Sequence, residues 1–330
     1  MRCSKRTSER IPGFVAGVAV AFLLTAATVA TGSQAPPEQA GAKLPYDAGV
    51  ARFEVVDEGQ PFDILHGVME HPRILVGVVY YPIRRGAGGG KPIDLSFYHD
   101  APEHDSYSRT MEWAFKIPGM SGDEILTLLF GTSVEEHLDT ERSGIYADAP
   151  IARGRFPVVV QFNGSGSRGH QADDVGKQFA RRGYIYIALD APGVSSLTPI
   201  GRVALDSYPE LRMALETLPP CETADDGSVP GVCFNDGHGE YGEYGVADDG
   251  RVVWWPPARL WETYEVQRAR DAVAMLERVR HAFHGRANTR RVGIIGISLG
   301  GPPAFVAPQL IDALRGVRGD RYAVYGIVPA

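Results

Sequence analysis

The chain has 330 residues, enough for one large α/β domain or two small ones, and 44% of them are hydrophobic against 22% charged, a balance that excludes overall disorder. A formal net charge of −7, with no Lys/Arg-rich block beyond the first few residues, gives nucleic-acid binding no support. Such acidity keeps a protein soluble and names no ligand.

The chain opens with a basic stretch (Arg2, Lys5, Arg6, Arg10), followed by the uncharged, mostly apolar residues 14–30 and then by small residues. This order reads as an export signal cleaved between Ala30 and Ala35, so residues 1–35 are assigned as a signal peptide. The competing reading is an uncleaved membrane anchor, for which 17 residues rich in Gly, Ala and Thr are short and weakly apolar. Cys3 precedes the apolar run and so does not occupy a lipid-attachment position. Export predicts a periplasmic or extracellular protein with no stable membrane span after cleavage.

Residues 36–70 read as a flexible N-terminal segment. Residues 74–82 form a strand pattern ended by Pro82, and 85–90 a turn. The stretch 91–150 is mixed, with short helices at 123–130 and 134–138. From residue 157 the pattern sharpens into strand 157–162, a helix over 171–182 with Val175, Phe179 and Ala180 on one face, and strand 184–190. Residues 194–257 lack strong periodicity and interrupt the alternation. A helix follows over 258–284, where Ala269, Ala272, Val273, Leu276, Val279 and Phe283 recur at helical spacing. Then come a strand around Val292–Ile295, a helix to about Arg315 and a strand over 322–328. Strands alternating with helices predict an α/β fold over residues 71–330: a mostly parallel sheet, helices on both faces, and an insert at 194–257.

Cys221 and Cys233 stand twelve residues apart in a stretch rich in Gly, Pro and Asp. After export the default is a disulfide, worth about 3 kcal/mol if unstrained. A metal site would need further ligands, and His238 is the only histidine nearby.

The most informative stretch is Gly296-Ile297-Ser298-Leu299-Gly300. It follows an apolar strand and precedes a helix, the context in which a G-x-S-x-G match becomes a nucleophile elbow. Ser298 is then the candidate nucleophile toward an acyl carbonyl, and the backbone N–H of Leu299, at the helix start, donates to the oxyanion. A glycine turn without chemistry is the plain alternative. A second donor is expected from the loop after strand 157–162. That loop also contains Gly164-Ser165-Gly166-Ser167-Arg168-Gly169, a literal dinucleotide-binding fingerprint with Asp190 ending the next strand. Export argues against a nicotinamide cofactor, and that reading leaves Ser298 without a purpose.

The run from Gly154 to Gly193, together with Val78-Val79-Tyr80-Tyr81-Pro82 and residues 291–301, resembles the α/β-hydrolase superfamily. Within it, the chain is similar to platelet-activating-factor acetylhydrolase-like and dienelactone hydrolase-like esterases. The resemblance covers about residues 70–82 and 150–330, apart from the insert. It implies Ser298 as nucleophile, backbone N–H groups of Leu299 and Ser165 as the oxyanion hole, a structural Asp190, and no metal or organic cofactor. These families usually carry His-Gly where this chain has Asn163-Gly164, a change that leaves a backbone donor untouched. In some relatives the triad acid follows the strand after the elbow, and no carboxylate stands there near Pro329. The histidine comes last in such families, and none follows Ser298.

Three readings stay open: an amino-terminal fragment lacking its final strands, an inactive relative, or an upstream base chosen among His170, His281 and His284. Asp312 and Asp320 read as solvent-facing or terminating residues. The insert, with Tyr241, Tyr244, Trp254 and Trp255 and with Trp261 just beyond, reads either as a cap over an apolar acyl or aryl pocket or as its own small core. The expected function is cleavage of small or lipid-like carboxylic esters by an exported serine esterase, with the sequence as given lacking full activity. The alternative is an exported binding protein that keeps the fold and pocket.

Overall fold

The computed structural model describes residues 44–63, 68–87, 92–94, 97, 119–139, 141–142, 144–164, 172–190, 209–210, 234–235, 240–241, 245–246, 252–253, 258–297, 300–315 and 321–327. All of them fall in the compact unit Leu44–Ala330. The first strands are β1 (Tyr46–Asp63) and β2 (Val68–Arg84), followed by helices α1 (Gly122–Phe130) and α2 (Val134–Leu138). Next come β3 (Ile145–Ala147), β4 (Phe156–Phe162), α3 (Asp173–Arg181) and β5 (Ile185–Leu189). The insert contributes the short strands β6 (Phe234–Asn235), β7 (Glu240–Tyr241), β8 (Gly245–Val246) and β9 (Val252–Val253). Finally the chain forms α4 (Ala258–Ala282), β10 (Ala287–Ile297), α5 (Gly301–Arg315) and β11 (Arg321–Ile327).

Among the described residues, seven strands make one mixed sheet in the order β11-β10-β4-β5-β2-β1-β3. The pairs β11–β10, β10–β4, β4–β5 and β1–β3 are parallel, whereas β2 runs antiparallel to both β5 and β1. The central strands are buried on both faces, which is why FPVVVQF and IYIAL are nearly continuous apolar runs. Their alternation still sorts the core into two layers. Val158, Val160, Phe162, Ile185, Ile187 and Leu189 pack with Ala269, Ala272, Met275, Leu276 and Val279 of α4 and with Ala304, Ala307 and Ile311 of α5. Val159, Tyr186 and Ala188 face the other way, with Ala172, Ala180 and Phe179 around α3. Each such fully buried aliphatic or aromatic side chain contributes roughly 1.5–3 kcal/mol. The α/β fold expected from the alternation of elements is therefore present, with helices on both faces.

Two expectations differ. Residues 46–63, read as part of a flexible segment, form the eighteen-residue strand β1. Its run of charged residues hid the pattern, because among the described residues this strand, beyond the β3 pairing at Ala48–Val50, is bonded on one side only. On α3, Val175 is not on the packed face: it is 46% exposed, and Asp173, Gly176 and Ala180 are buried instead. Gly176 decides this, since a Cβ there would lie 2.3 Å from the Tyr80 ring, so the helix approaches the sheet along its smallest residues.

The expected short helices both form, and each starts with a capping box, Ser121 with Glu124 and Ser133 with Glu136. The backbone N–H and then the hydroxyl of Ser121, both bonded to the Glu124 carboxylate, hold it below its usual range.

Residues 68–76 of β2 and their partners in β1 run past the end of β5, whose pairing with β2 stops at Leu189↔Gly77. At about 3.3 Å per residue this hairpin arm extends some 25–30 Å beyond the sheet's carboxyl edge. Its Phe62, Arg73, Ile74, Leu75 and Val76 are buried. Ligand groups in open α/β sheets lie at that same edge.

Candidate active site

β10 ends at Ile297 and α5 begins at Gly301. Ser298 and Leu299 lie outside the described residues, so the structure gives the frame that carries them. A Cβ at Gly296 would lie 2.3 Å from the Gly300 carbonyl oxygen and 2.7 Å from Gly301 Cα. At Gly300 it would lie 2.0 Å from the Phe162 carbonyl oxygen and 2.9 Å from that of Asn163. Both collisions are with backbone, so neither position admits a side chain. Gly300 therefore lies close against Gly296 and against the backbone of Phe162 and Asn163 at the end of β4. Pro302 and Pro303 then open α5 in its first turn, where their missing N–H groups cost least.

Beneath that turn lies a buried polar chain with one direction. The Tyr186 hydroxyl donates to Gln161 Oε1, Gln161 Nε2 donates to Asn163 Oδ1 at 2.6 Å, and Asn163 Nδ2 donates to Asp190 Oδ1 at 2.8 Å. Each step fixes the next, because an amide that accepts on oxygen has only its NH2 left to give. Every donor points toward the carboxylate, the arrangement in which such chains strengthen one another. Burial pushes the Tyr186 phenol well above its ordinary value, so it remains a donor.

A second buried polar cluster reaches the same end of β5 from α4. Arg268, fully buried, sends Nη1 to the Asp190 carbonyl at 3.2 Å and Nη2 to that of Leu189 at 3.4 Å. Its guanidinium lies 5.2 Å from the centre of the Phe162 ring, a cation–π contact. Asp271 Oδ2 is 4.0 Å from Arg268, and both carboxylate oxygens of Asp271 accept from Arg73, at 2.7 and 2.8 Å. Arg73 also donates to the Phe62 carbonyl at 2.6 Å. Arg73 and Arg268 thus both stand beside the Asp271 carboxylate, the kind of pairing that makes buried charge tolerable.

Ser165, His170, Cys221, Cys233 and Asp320 lie outside the described residues, as do the side chains of Tyr241, Tyr244, Trp254, Trp255 and Trp261. Gly164 is buried at the start of its loop. Asp190 is 3% exposed and bonded to Asn163, so its carboxylate does not open toward a ribose as the dinucleotide reading needs. His281 and His284 are exposed at the far end of α4. His284 has φ 50 and, with Gly285 at φ 74, terminates the helix. The length of β10 separates them from Gly296, roughly 25–30 Å at ordinary strand rise, so neither serves as the base for Ser298. Asp312 lies on α5, about 16 Å along the helix from its start at Gly301.

Sequence reasoning missed the side chains of Asn163, Gln161, Arg268, Asp271 and Arg73. One signal was present: Arg268 and Asp271 interrupt the apolar stripe of α4 beside Ala269 and Ala272. Among the described residues, no three His, Cys, Asp or Glu side chains come together as metal ligands would. No described helix is long and apolar enough to cross a membrane.

No protein-family model matches the chain, and no curated protein matches it by sequence. Among solved structures it is similar to a ferulic acid esterase from Streptomyces cinnamoneus, with 16% identity and a TM-score of 0.41 over 84% of this chain. The chain spans 57% of that structure's length.

Proposed function

We propose that this protein is a serine hydrolase of the α/β-hydrolase type, cleaving small or lipid-like carboxylic esters through an acyl-enzyme on Ser298. The observation that carries the reading is the interlock of Gly296, Gly300 and the Phe162 carbonyl. A strand-to-helix connection whose two flanking glycines admit no side chain is the support a nucleophile elbow needs. The turn rests against β4, so the loop after β4 starts beside it, where the second oxyanion donor of such enzymes originates. In this scheme Ser298 Oγ attacks the ester carbonyl while a general base takes its proton. The N–H groups of Leu299 and Ser165 receive the oxyanion, and the proton leaves with the alcohol. Water then releases the acid and restores the hydroxyl. The reading includes export through residues 1–35 and a Cys221–Cys233 disulfide in the oxidising compartment.

The test is reaction with a fluorophosphonate probe and turnover of a nitrophenyl ester, using the protein from its natural source. Labelling should map to Ser298, and Ser298→Ala should lower turnover at least about a thousandfold. Unchanged turnover in that variant would remove the acyl-enzyme reading.

A further inference from the structure

We propose that the edge of the sheet opposite the candidate active site is a docking surface for a membrane bearing anionic phospholipids. The strands fix where that edge lies: β4, β5 and β10 run parallel and start there, and β2, antiparallel to β5, ends there. The sequence has no basic block beyond its first residues, but the fold assembles one at these strand ends. Arg84 closes β2 with Arg85 beside it, Arg153 and Arg155 lead into β4, and Arg290 and Arg291 stand near the start of β10. All six are exposed, and among the described residues none has a side-chain hydrogen bond or an ion pair.

The backbone of β10 favours this display. Alternation along a strand would turn one of two successive residues inward. The register with β4 breaks between Asn288 and Val292, and within that irregularity Arg290 and Arg291 are both exposed. Bulges re-aim side chains in this way. The register with β11 also sets Arg291 opposite Arg321.

The chain carries a net charge of −7, so this pole is cationic against the overall balance. The acids in the same described segments are Asp47, Asp148 and Glu277. Glu277 is taken by Arg280 at 2.6 Å, and Asp47 accepts from the Gly86 N–H at 2.7 Å. Gathered like charges repel one another and add nothing to the stability of the fold. They suit an anion from outside, and guanidinium groups match phosphate oxygens in a bidentate fork.

The layout fits a surface better than a thread-like polyanion. β10, β4, β5 and β2 are consecutive, so the arginines cover about 14 Å of the sheet's breadth. Arg182 at the end of α3 and Arg280 at the end of α4 extend the charge to both faces. Tyr184, 38% exposed, follows Arg182 closely, and such amphipathic rings sit at headgroup level in membrane interfaces. β1 starts at this pole with Tyr46, so the leader read as an export signal, which brings a chain to a membrane, joins the fold from this side. Docked in this way, the protein turns its carboxyl edge, with Gly296 and Gly300, toward the solution.

The experiment sediments the full protein with vesicles of phosphatidylcholine alone and with one-third phosphatidylglycerol. Binding is expected to the anionic vesicles only, at about 0.1 M salt, with release at about 1 M. Each arginine near such a surface is worth about fivefold in partition, so Arg153→Gln, Arg155→Gln, Arg290→Gln and Arg291→Gln together should cut binding at least about a hundredfold. Arg84→Gln with Arg85→Gln, at the other end of the row, should cut it about twentyfold and decides the matter if the fourfold variant does not fold. Arg270→Gln removes an exposed cation about 15 Å along α4 from Arg280, beyond the screening length, and should change binding less than about twofold. Equal binding to neutral vesicles, or undiminished binding by the folded glutamine variants, would overturn the proposal. So would tighter binding to duplex DNA than to the anionic vesicles, which would make the partner a nucleic acid. None of these readouts uses ester turnover, so the outcome is independent of Ser298.

Discussion

Gly300→Ala puts the elbow geometry to a quantitative test. The added methyl would start 2.0 Å from the Phe162 carbonyl oxygen and 2.6 Å from its carbon, and ordinary contact begins at 3.4 Å. No side chain can rotate to make room, because both atoms belong to the backbone of β4, which is bonded to β5 on one side and β10 on the other. Relief requires the start of α5 and the end of β4 to part by more than an ångström. Overpacking of this kind costs about 1–3 kcal/mol, and the backbone obstacle places Gly300→Ala at the upper end. For a unit spanning Leu44–Ala330, with about 2.1 cal/mol/K of unfolding entropy per residue, that corresponds to a fall in Tm of about 5 °C. The same displacement moves Asn163 and Ser298 relative to each other, so fluorophosphonate labelling should slow about a hundredfold. Gly293→Ala is the control. Its Cβ would meet Val159 Cγ2 at 3.2 Å, a methyl that can yield by a few tenths of an ångström, so both readouts should stay near those of the unaltered protein. If Gly300→Ala melted and labelled like Gly293→Ala, the turn could not be seated on β4 as described.

Removing Arg73 by Arg73→Met takes both short hydrogen bonds from the fully buried Asp271 carboxylate, leaving Arg268 at 4.0 Å, and should cost about 3 kcal/mol in urea unfolding. Arg73→Met with Asp271→Leu should recover part of that loss, and a double variant weaker than the single would contradict the pairing. Burial and then the nearby Arg142 charge lower the pKa of His137, so the folded state resists its protonation. The stability due to this histidine is complete above about pH 6.5 and declines as pH falls through the lowered value; a His137→Gln variant should show a shallower acid-side fall in Tm. Tyr81 is held protonated by burial and then by Asp148. Its contribution is complete below about pH 10 and declines as pH rises further, so Tyr81→Phe should flatten the alkaline limb of the stability curve.

The sheet from β4 onward was legible because its strands are buried on both faces and its helices bury one stripe, so burial wrote each period into the sequence. β1 was not legible, since a strand paired mostly on one side tolerates charges that erase the alternation. On α3 the large residues misled: Val175 faces outward, and the face that packs is made of residues small enough to let the helix approach Tyr80. The glycines of the elbow could be read as letters, and their reason, the crowding against β4, could not. The floor was hidden for a different cause. Arg73 and Asp271 are 198 residues apart, and nothing local in either stretch names the other.

That separation also orders the making of the molecule. The hairpin arm of β1 and β2 is braced by a pair whose second member lies far down the chain. At about 5–20 residues per second, synthesis delivers Asp271 some 10–40 s after Arg73. Through that interval the arm, with Ile74, Leu75 and Val76 on it, has neither α4 to lie against nor a carboxylate for its buried cation. The hairpin can pair with itself early, but it cannot be fastened until α4 arrives. An exposed apolar strand held waiting in this way is a natural client for a holding chaperone.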